Sequence, residues 1–455
     1  MSSNTDPSTS AMSNAALYSE RPARINKEDF FMVLALWMEH FPLSPDLVED
    51  NKHHSRHQKV GAVLVSPNDT LYAVDCTRDD GHGVARLLMN HPDIAKGCKV
   101  FVSRKPCSLC TKLLVQSKVD RVFFPPFEPE YYDGSRRCTR TSIGKKFKQE
   151  KSQVDTLFQT SNIAQSVFLP TVAKAVFESE ERKHVTNKEM ARKIELQKKK
   201  LFAKFWREGW MKTVKDNLSW PGFDKNMAIK FKQDFENTMK WMAQILVKSG
   251  LDGEETLSFQ RVDGNGKLKT MSNPPDNNEQ LQFAHLVRMA QFLAERTDDP
   301  RTGVGAIIAN KDMEIKALGW NGFPLKALYG EFPRASDTDD KVEDKKYPYI
   351  IHAEQNALLM RNDKNLKDTT LFVTKTPCDE CVPYLQMQGI TTIVLDAKLQ
   401  KEKSKDLSYS KFGAKVDKEV FICFQRQTGI PLTIFFKNEI INCPGGCLYG
   451  GGPVL

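Results

Sequence analysis

Phe372-Val-Thr-Lys-Thr-Pro-Cys-Asp-Glu-Cys381 has an earlier echo in the same chain, Phe101-Val-Ser-Arg-Lys-Pro-Cys-Ser-Leu-Cys110. Each reads as a short apolar strand, a proline, and a Cys-x-x-Cys pair leading into helix-forming sequence. The echo extends outward. Upstream, Val60-Gly-Ala-Val-Leu-Val65 matches Val304-Gly-Ala-Ile-Ile-Ala309; downstream, Val119 to Phe124 matches Ile390 to Leu395. Ahead of each copy runs an apolar stripe at helical spacing, Phe30, Phe31, Leu34 and Met38 in the first and Phe283, Leu286, Ala290 and Leu293 in the second. A repeat of this extent means one architecture used twice. Helix, strand, strand, helix, strand, helix, strand is an alternating α/β order, which predicts a central sheet packed between helices in each module.

At 455 residues the chain is long for one domain, and its 40% hydrophobic and 27% charged residues suit globular cores. The net charge of +9 is local. Between Glu181 and Lys215 twelve Lys/Arg stand against four Asp/Glu, so the rest of the chain is nearly neutral and does not steer polyanions as a whole. From 141 to 275 the repeat is lost. That stretch carries Lys198-Lys-Lys200 together with Trp206, Trp210, Trp220 and Trp241, too aromatic for disorder, and is expected to be a mostly helical basic linker. Its basic run reads as a solvated helical face, with a nuclear-import signal or nucleic-acid contact as alternatives. The expected divisions are a disordered start (1–24), a first module (25–140), the linker (141–275), a second module (276–440) and a Gly-rich flexible tail (441–455).

No apolar run approaches the roughly eighteen residues of a membrane span, and Met1 to Tyr18 lacks the pattern of a signal peptide. The paired cysteines therefore favour metal or redox work over disulfides, and an intracellular protein, cytoplasmic or nuclear, is expected.

His352-Ala-Glu354 precedes Cys378 and Cys381. One imidazole and two thiolates make a three-ligand zinc set with a fourth position left open, the arrangement of a catalytic zinc. Helix starts lower thiol pKa and favour thiolate. Glu354, two residues after the histidine, is not needed as a ligand and is placed to carry protons between water, a ring nitrogen and a departing amine. His-x-Glu with Pro-Cys-x-x-Cys is the combination found in zinc deaminases of nucleobases.

Gly319-Trp-Asn-Gly-Phe-Pro324, Lys346-Tyr-Pro-Tyr-Ile-Ile-His-Ala-Glu354 and Thr376-Pro-Cys-Asp-Glu-Cys381 together resemble the deoxycytidylate deaminase branch of the cytidine-deaminase-like fold, from about Leu281 to Phe424. The two-module layout resembles vertebrate proteins that carry cytidine and dCMP deaminase domains. The resemblance implies a three-layer α/β/α module around a five-stranded mixed sheet, hydrolytic deamination of free cytosine nucleotides (dCMP or dCTP), and homo-oligomers. It also implies substrate contacts at Asn321 and Ala353, and a phosphate-side loop at Arg296 to Arg301, with Arg296 and Arg301 as clamps. Read without it, Asn321-Gly322 is also an ordinary turn signal and either arginine an ordinary surface residue. Many deoxycytidylate deaminases carry an extra zinc site before the His-Ala-Glu motif; Phe323 to Ile351 has no His or Cys, so that metal is expected to be absent. Tandem modules with one inactive copy also occur among polynucleotide cytidine deaminases, which keeps single-stranded DNA or RNA open as an alternative substrate.

The first copy departs where chemistry would need it. His82 is followed by Gly83 and Val84, with no glutamate at the second position, and it stands one residue nearer its cysteines than His352 does. It reads as a pseudo-enzyme. His82, Cys107 and Cys110 are candidates for a second, non-catalytic zinc, provided that the turn before His82 absorbs the missing residue. A helix start shifted by one residue would otherwise rotate the ligand by about 100°.

Overall fold

The computed structural model describes residues 24–42, 57–78, 81–131, 142–176, 188–207, 224–252, 258–262, 268–269, 276–299, 302–324, 349–396 and 420–425. The N-terminal stretch, the Gly-rich tail, Arg301, Trp210 and Trp220 lie outside them.

Two mixed sheets organise the chain. The first comprises β1 (Gly61–Val65), β2 (Leu71–Cys76), β3 (Lys99–Val102), β4 (Arg121–Phe124) and β5 (Ala164–Val167), in the order β2-β1-β3-β4-β5. β1 is antiparallel to both neighbours, whereas β3, β4 and β5 run parallel. Every residue of β1 is buried, as expected of a strand covered on both faces. Val63, Val65 and Phe101 join the core under α1 (Lys27–Glu39). Ala62, Leu64, Val100 and Val102 join a separate core with Val84, Leu87 and Leu114, which lie on α2 (Gly83–Asn90) and α3 (Ser108–Gln116).

The repeated Val-Gly-Ala has a packing cause. A Cβ on Gly61 would fall 2.1 Å from the Ala35 carbonyl oxygen of α1, and one on Gly305 would fall 2.0 Å from that of Ala290. In both copies a helix backbone rests directly on the first strand, and only glycine admits it.

The second sheet repeats the scheme and then exceeds it. β8 (Gly305–Ala309), β9 (Ile315–Trp320), β10 (Thr370–Val373), β11 (Thr392–Asp396) and β12 (Val420–Gln425) take the order β9-β8-β10-β11-β12, with directions matching the first sheet. Beyond β12 lie β6 (Ser258–Val262) and β7 (Leu268–Lys269), an antiparallel pair, giving seven strands where five are expected. The addition comes from the expected linker and covers what would be an open edge of β12. That linker also supplies α4 (Ser142–Gln159) and β5 of the first sheet, so it is neither wholly helical nor wholly between modules. Its remaining helices, α5 (Lys188–Phe205) and α6 (Lys225–Lys248), pack by aromatic contacts such as Phe202–Phe235 at 6.2 Å. Trp241 of α6 stacks on Phe292 of α7 (Asn277–Ala294) at 6.1 Å, and Phe205 of α5 meets Trp37 of α1 at 6.3 Å.

The two copies meet through α1, α7, β2 and β9. Trp37 Nε1 donates to the His285 carbonyl at 3.2 Å, and its ring stacks on His285 and meets Phe292 edge-on. Buried Arg78 donates to the carbonyls of Asp312 and Met313 at 2.5 and 2.6 Å, and Arg86 pairs with Glu314 at 2.7 Å. Among the described residues, no helix is long and apolar enough to cross a membrane.

Candidate active site

The short helix α8 (Ala353–Leu359) is capped by His352, whose own N–H donates to the Gln355 side chain at 3.1 Å. Cys378 opens a tight turn whose carbonyl accepts from the N–H groups of Cys381 and Val382, and Cys381 caps α9 (Val382–Met387). These two turns bring His352 Nδ1 to 3.2 Å from Cys378 Sγ and 3.3 Å from Cys381 Sγ, with the sulfurs 3.9 Å apart. A tetrahedral zinc, with Zn–S of about 2.3 Å and Zn–N of about 2.0 Å, places its S and N ligands roughly 3.5 Å apart and its sulfurs roughly 3.8 Å apart. The donor set therefore fits zinc in type and in spacing.

Electrostatics point the same way. The hydrogen bond from Cys381 and then the His352 imidazole hold the Cys378 thiol down to about 4, against burial. Cys381 is pushed up, because a second thiolate would form beside the first in a buried place. Burial opposes protonation of His352, but the Cys378 partner and the Glu354 charge outweigh it and raise that ring to about 9. Without a cation the trio shares protons; a divalent ion supplies the charge that lets both sulfurs ionise.

Glu354 is the second residue of α8 and only 4% exposed. Burial pushes its carboxyl up to about 7, near where a group must sit to take and return protons at neutral pH. It is not among the ligand atoms that cluster with His352, Cys378 and Cys381. Ala353, between the two, is fully buried.

The other expected contacts sit differently. Asn321 is 4% exposed and its amide is occupied: Oδ1 accepts from Val304 N–H at 2.7 Å, while Nδ2 donates to the Thr302 carbonyl at 2.8 Å and to Asp299 at 3.3 Å. It ties the loop before β8 to the end of β9. Arg296 is also buried and donates to the Ile25 carbonyl, while its own carbonyl accepts from Arg24 at 3.2 Å. Burial brings its guanidinium down to about 10. Its charge serves the join between the copies, and Arg301 lies outside the described residues.

The first copy brings His82, Cys107 and Cys110 together as well. His82 caps α2 and Cys107 caps α3, and His82 Nδ1 lies 3.4 and 3.6 Å from the two sulfurs. At Gly83 a Cβ would fall 2.5 Å from the Val60 carbonyl oxygen, so only glycine lets this helix start lie where it does, and His82 meets both sulfurs despite the missing residue. Val84, fully buried, occupies the second helical position held by Glu354 in the other copy. Sequence reading missed Glu130. It follows β4, carries no spacing signal relative to the cysteines, and its Oε1 sits 2.6 Å from His82 Nδ1. The His82 ring is raised to about 10, first by its hydrogen bonds with Cys107 and Glu130.

Residues 281–397 match the family model described as the cytidine and deoxycytidylate deaminase zinc-binding region. The chain is 26% identical over 454 residues to cytidine and dCMP deaminase domain-containing protein 1 of Danio rerio, covering 92% of this chain and 93% of that protein. It is 32% identical over 119 residues to the deoxycytidylate deaminase of Mycobacterium phage D29, covering 24% of this chain and 90% of the relative. Against the deoxycytidylate deaminase of Homo sapiens identity is 33% over 118 residues, covering 26% of this chain and 66% of that enzyme. Among solved structures, the apo dCMP deaminase of cyanophage S-TIM5 is 25% identical and covers 24% of this chain and 78% of its own, at a TM-score of 0.20.

Proposed function

The chain belongs to the cytidine and deoxycytidylate deaminase family, and from that premise we propose that its second His-Cys-Cys group deaminates a free deoxycytidine nucleotide. His352, Cys378 and Cys381 would hold the zinc, and Glu354 would carry the protons. The observation that supports this most is the placing of Glu354: buried, two residues after the capping histidine, and outside the ligand set.

Zinc held there supplies a Lewis acid that makes water nucleophilic near neutral pH. The chain's own part is proton traffic and positioning. Glu354 takes a proton from the attacking water and gives it to N3 of the cytosine ring as the water oxygen bonds to C4. It then takes the second proton from that oxygen and passes it to the exocyclic nitrogen. The C4–N bond breaks, and a cytosine nucleotide and water become the uracil nucleotide and ammonia. Burial supports the role, since a carboxyl near 7 releases and accepts protons at similar cost. Asn321 positions the loop beside the site through its bonds to residues 302 and 304, and a sugar contact requires it to surrender one of them.

We read the two sheets as two deaminase-type modules, the second chemically competent and the first not, because Val84 cannot move a proton. A free nucleotide is favoured over a strand by charge: the basic excess lies between Glu181 and Lys215, not in the second copy. A strand-binding groove needs cations and aromatic rings tracking a backbone. Parallel assays on dCMP, dCTP and a cytosine-containing oligonucleotide, followed by ammonia release, test the reading. Faster turnover of either free nucleotide supports it. Faster turnover of the oligonucleotide overturns it in favour of a polynucleotide deaminase.

A further inference from the structure

The two His-Cys-Cys groups differ in a fourth donor. We infer that Glu130 is the fourth ligand of a closed zinc centre in the first copy, made with His82, Cys107 and Cys110, and that this centre is structural. It neither depends on nor alters the identity of the nucleotide handled by the second group.

Glu130 is placed by its backbone before its side chain does anything. Its N–H donates to the Lys105 carbonyl at 2.9 Å and its carbonyl accepts from Gln58 N–H at 2.7 Å, which pins it to the loop leading into Cys107. Oε2 then accepts the Cys107 N–H at 2.8 Å, satisfying an amide at the start of α3 that has no helical partner. That bond turns Oε1 inward, to 2.6 Å from His82 Nδ1 and 3.7 Å from Cys110 Sγ. One atom from each of the four residues lies within 4.8 Å of the others.

The spacings suit a tetrahedron. With Zn–S about 2.3 Å and Zn–N or Zn–O about 2.0–2.2 Å, sulfur and light-atom ligands stand roughly 3.5 Å apart, and two light atoms roughly 3.4 Å apart. The sulfur separations of 3.4, 3.6 and 3.7 Å agree. Only the 2.6 Å approach of Glu130 to His82 is shorter, as befits a direct hydrogen bond that opens by under an ångström when a cation enters between them. Burial makes the case stronger: Glu130 and Cys107 are each 1% exposed and Cys110 is fully buried. As ligands, two thiolates and a carboxylate would bring three negative charges into one enclosed place, a load that a divalent cation balances. Four protein ligands are the mark of a structural zinc, whereas the second copy clusters three. With its fourth corner taken by a carboxylate, and Val84 in place of the proton carrier, the first copy holds metal without an opening for water.

Metal analysis of the full chain tests this directly. Wild-type protein should carry two zinc ions and Cys378→Ala with Cys381→Ala one. Release to a coloured chelator should be biphasic, and Glu130→Gln should speed one phase by at least about tenfold while leaving the other unchanged. One zinc in wild type, or unchanged release in Glu130→Gln, overturns the proposal. Should Glu130→Gln fail to fold, cobalt in the Cys378→Ala, Cys381→Ala chain gives a second reading. Added azide should leave the visible spectrum of a closed centre unchanged, and a shifted spectrum would mean an open position and refute the assignment.

Discussion

At the second residue of a short helix capped by histidine, one copy of the repeat carries Glu354 and the other Val84, both buried. Around that position nearly everything else is kept: strand order, the glycine under the first helix, the two cysteines at a helix start. On the function proposed above, the difference separates what a deaminase-type module needs to fold from what it needs to react. Folding uses the sheet, its buried faces and the metal ligands. Reaction adds a carboxylate that is free of the metal. In the first copy a carboxylate returns, from Glu130, on the side of the metal ligands, where it can hold charge but has no helical position from which to shuttle protons.

The largest effect should come from treating the two cysteine pairs alike. Cys378→Ala removes the second centre and should reduce deamination of cytosine nucleotide to background. Cys107→Ala should leave kcat within a few-fold while lowering the denaturation midpoint. Steady-state kinetics and unfolding curves on both variants decide it; equal loss of kcat in both would break the division of labour.

The join between copies comes next. Arg78→Ala strips two charge-assisted hydrogen bonds and leaves the buried Met313 carbonyl without this donor, a cost of about 1.5–3 kcal/mol by chemical denaturation. A loss under about 0.5 kcal/mol would mean that the copies do not depend on this contact.

A smaller effect is expected from pH. Burial lowers His40 to about 4 and carries His285 well below its ordinary value, and both lie at the join between the copies. The unfolded chain therefore binds protons that the folded chain refuses between about 6.5 and 4, so stability is full above that window and falls as pH drops through it. His40→Leu should recover on the order of 2 kcal/mol at the acid end, as read from unfolding curves at pH 7 and pH 5. An acid loss of the same size in His40→Leu would contradict the cause.

The smallest effect belongs to the basic run. Lys199 and Lys200 are exposed on α5, and replacing both by alanine should change stability by less than about 0.5 kcal/mol and leave turnover as it was. A marked fall in turnover would mean that these lysines meet the substrate.

Sequence made the repeat, the alternating order of elements and the His-Cys-Cys grouping legible, because periodicity and residue spacing are local. Phe30 and Phe31 announce their helix, and His352, Cys378 and Cys381 a donor set of the metal-binding type, without knowledge of the fold. What stayed hidden depends on long-range contacts. Glu130 joins the first centre from beyond a strand, by a backbone bond to Lys105 that no spacing reveals. The bond from Arg296 to the Ile25 carbonyl and the hold of the Asn321 amide on Val304 are likewise set by the fold, and no spacing in the sequence gives them. The β6–β7 pair had a local cue in the turn-rich Asp263-Gly-Asn-Gly-Lys267, but strands of five and two residues give little period to read. That they extend the second sheet is settled by pairing to β12.

The central claim is that proton transfer in the second copy rests on one carboxylate distinct from the metal ligands. Glu354→Gln, assayed for uracil nucleotide formation and bound zinc in one preparation, tests it most directly. Turnover should fall by roughly 10²–10⁴-fold with zinc content unchanged, whereas turnover within tenfold of wild type would contradict the account.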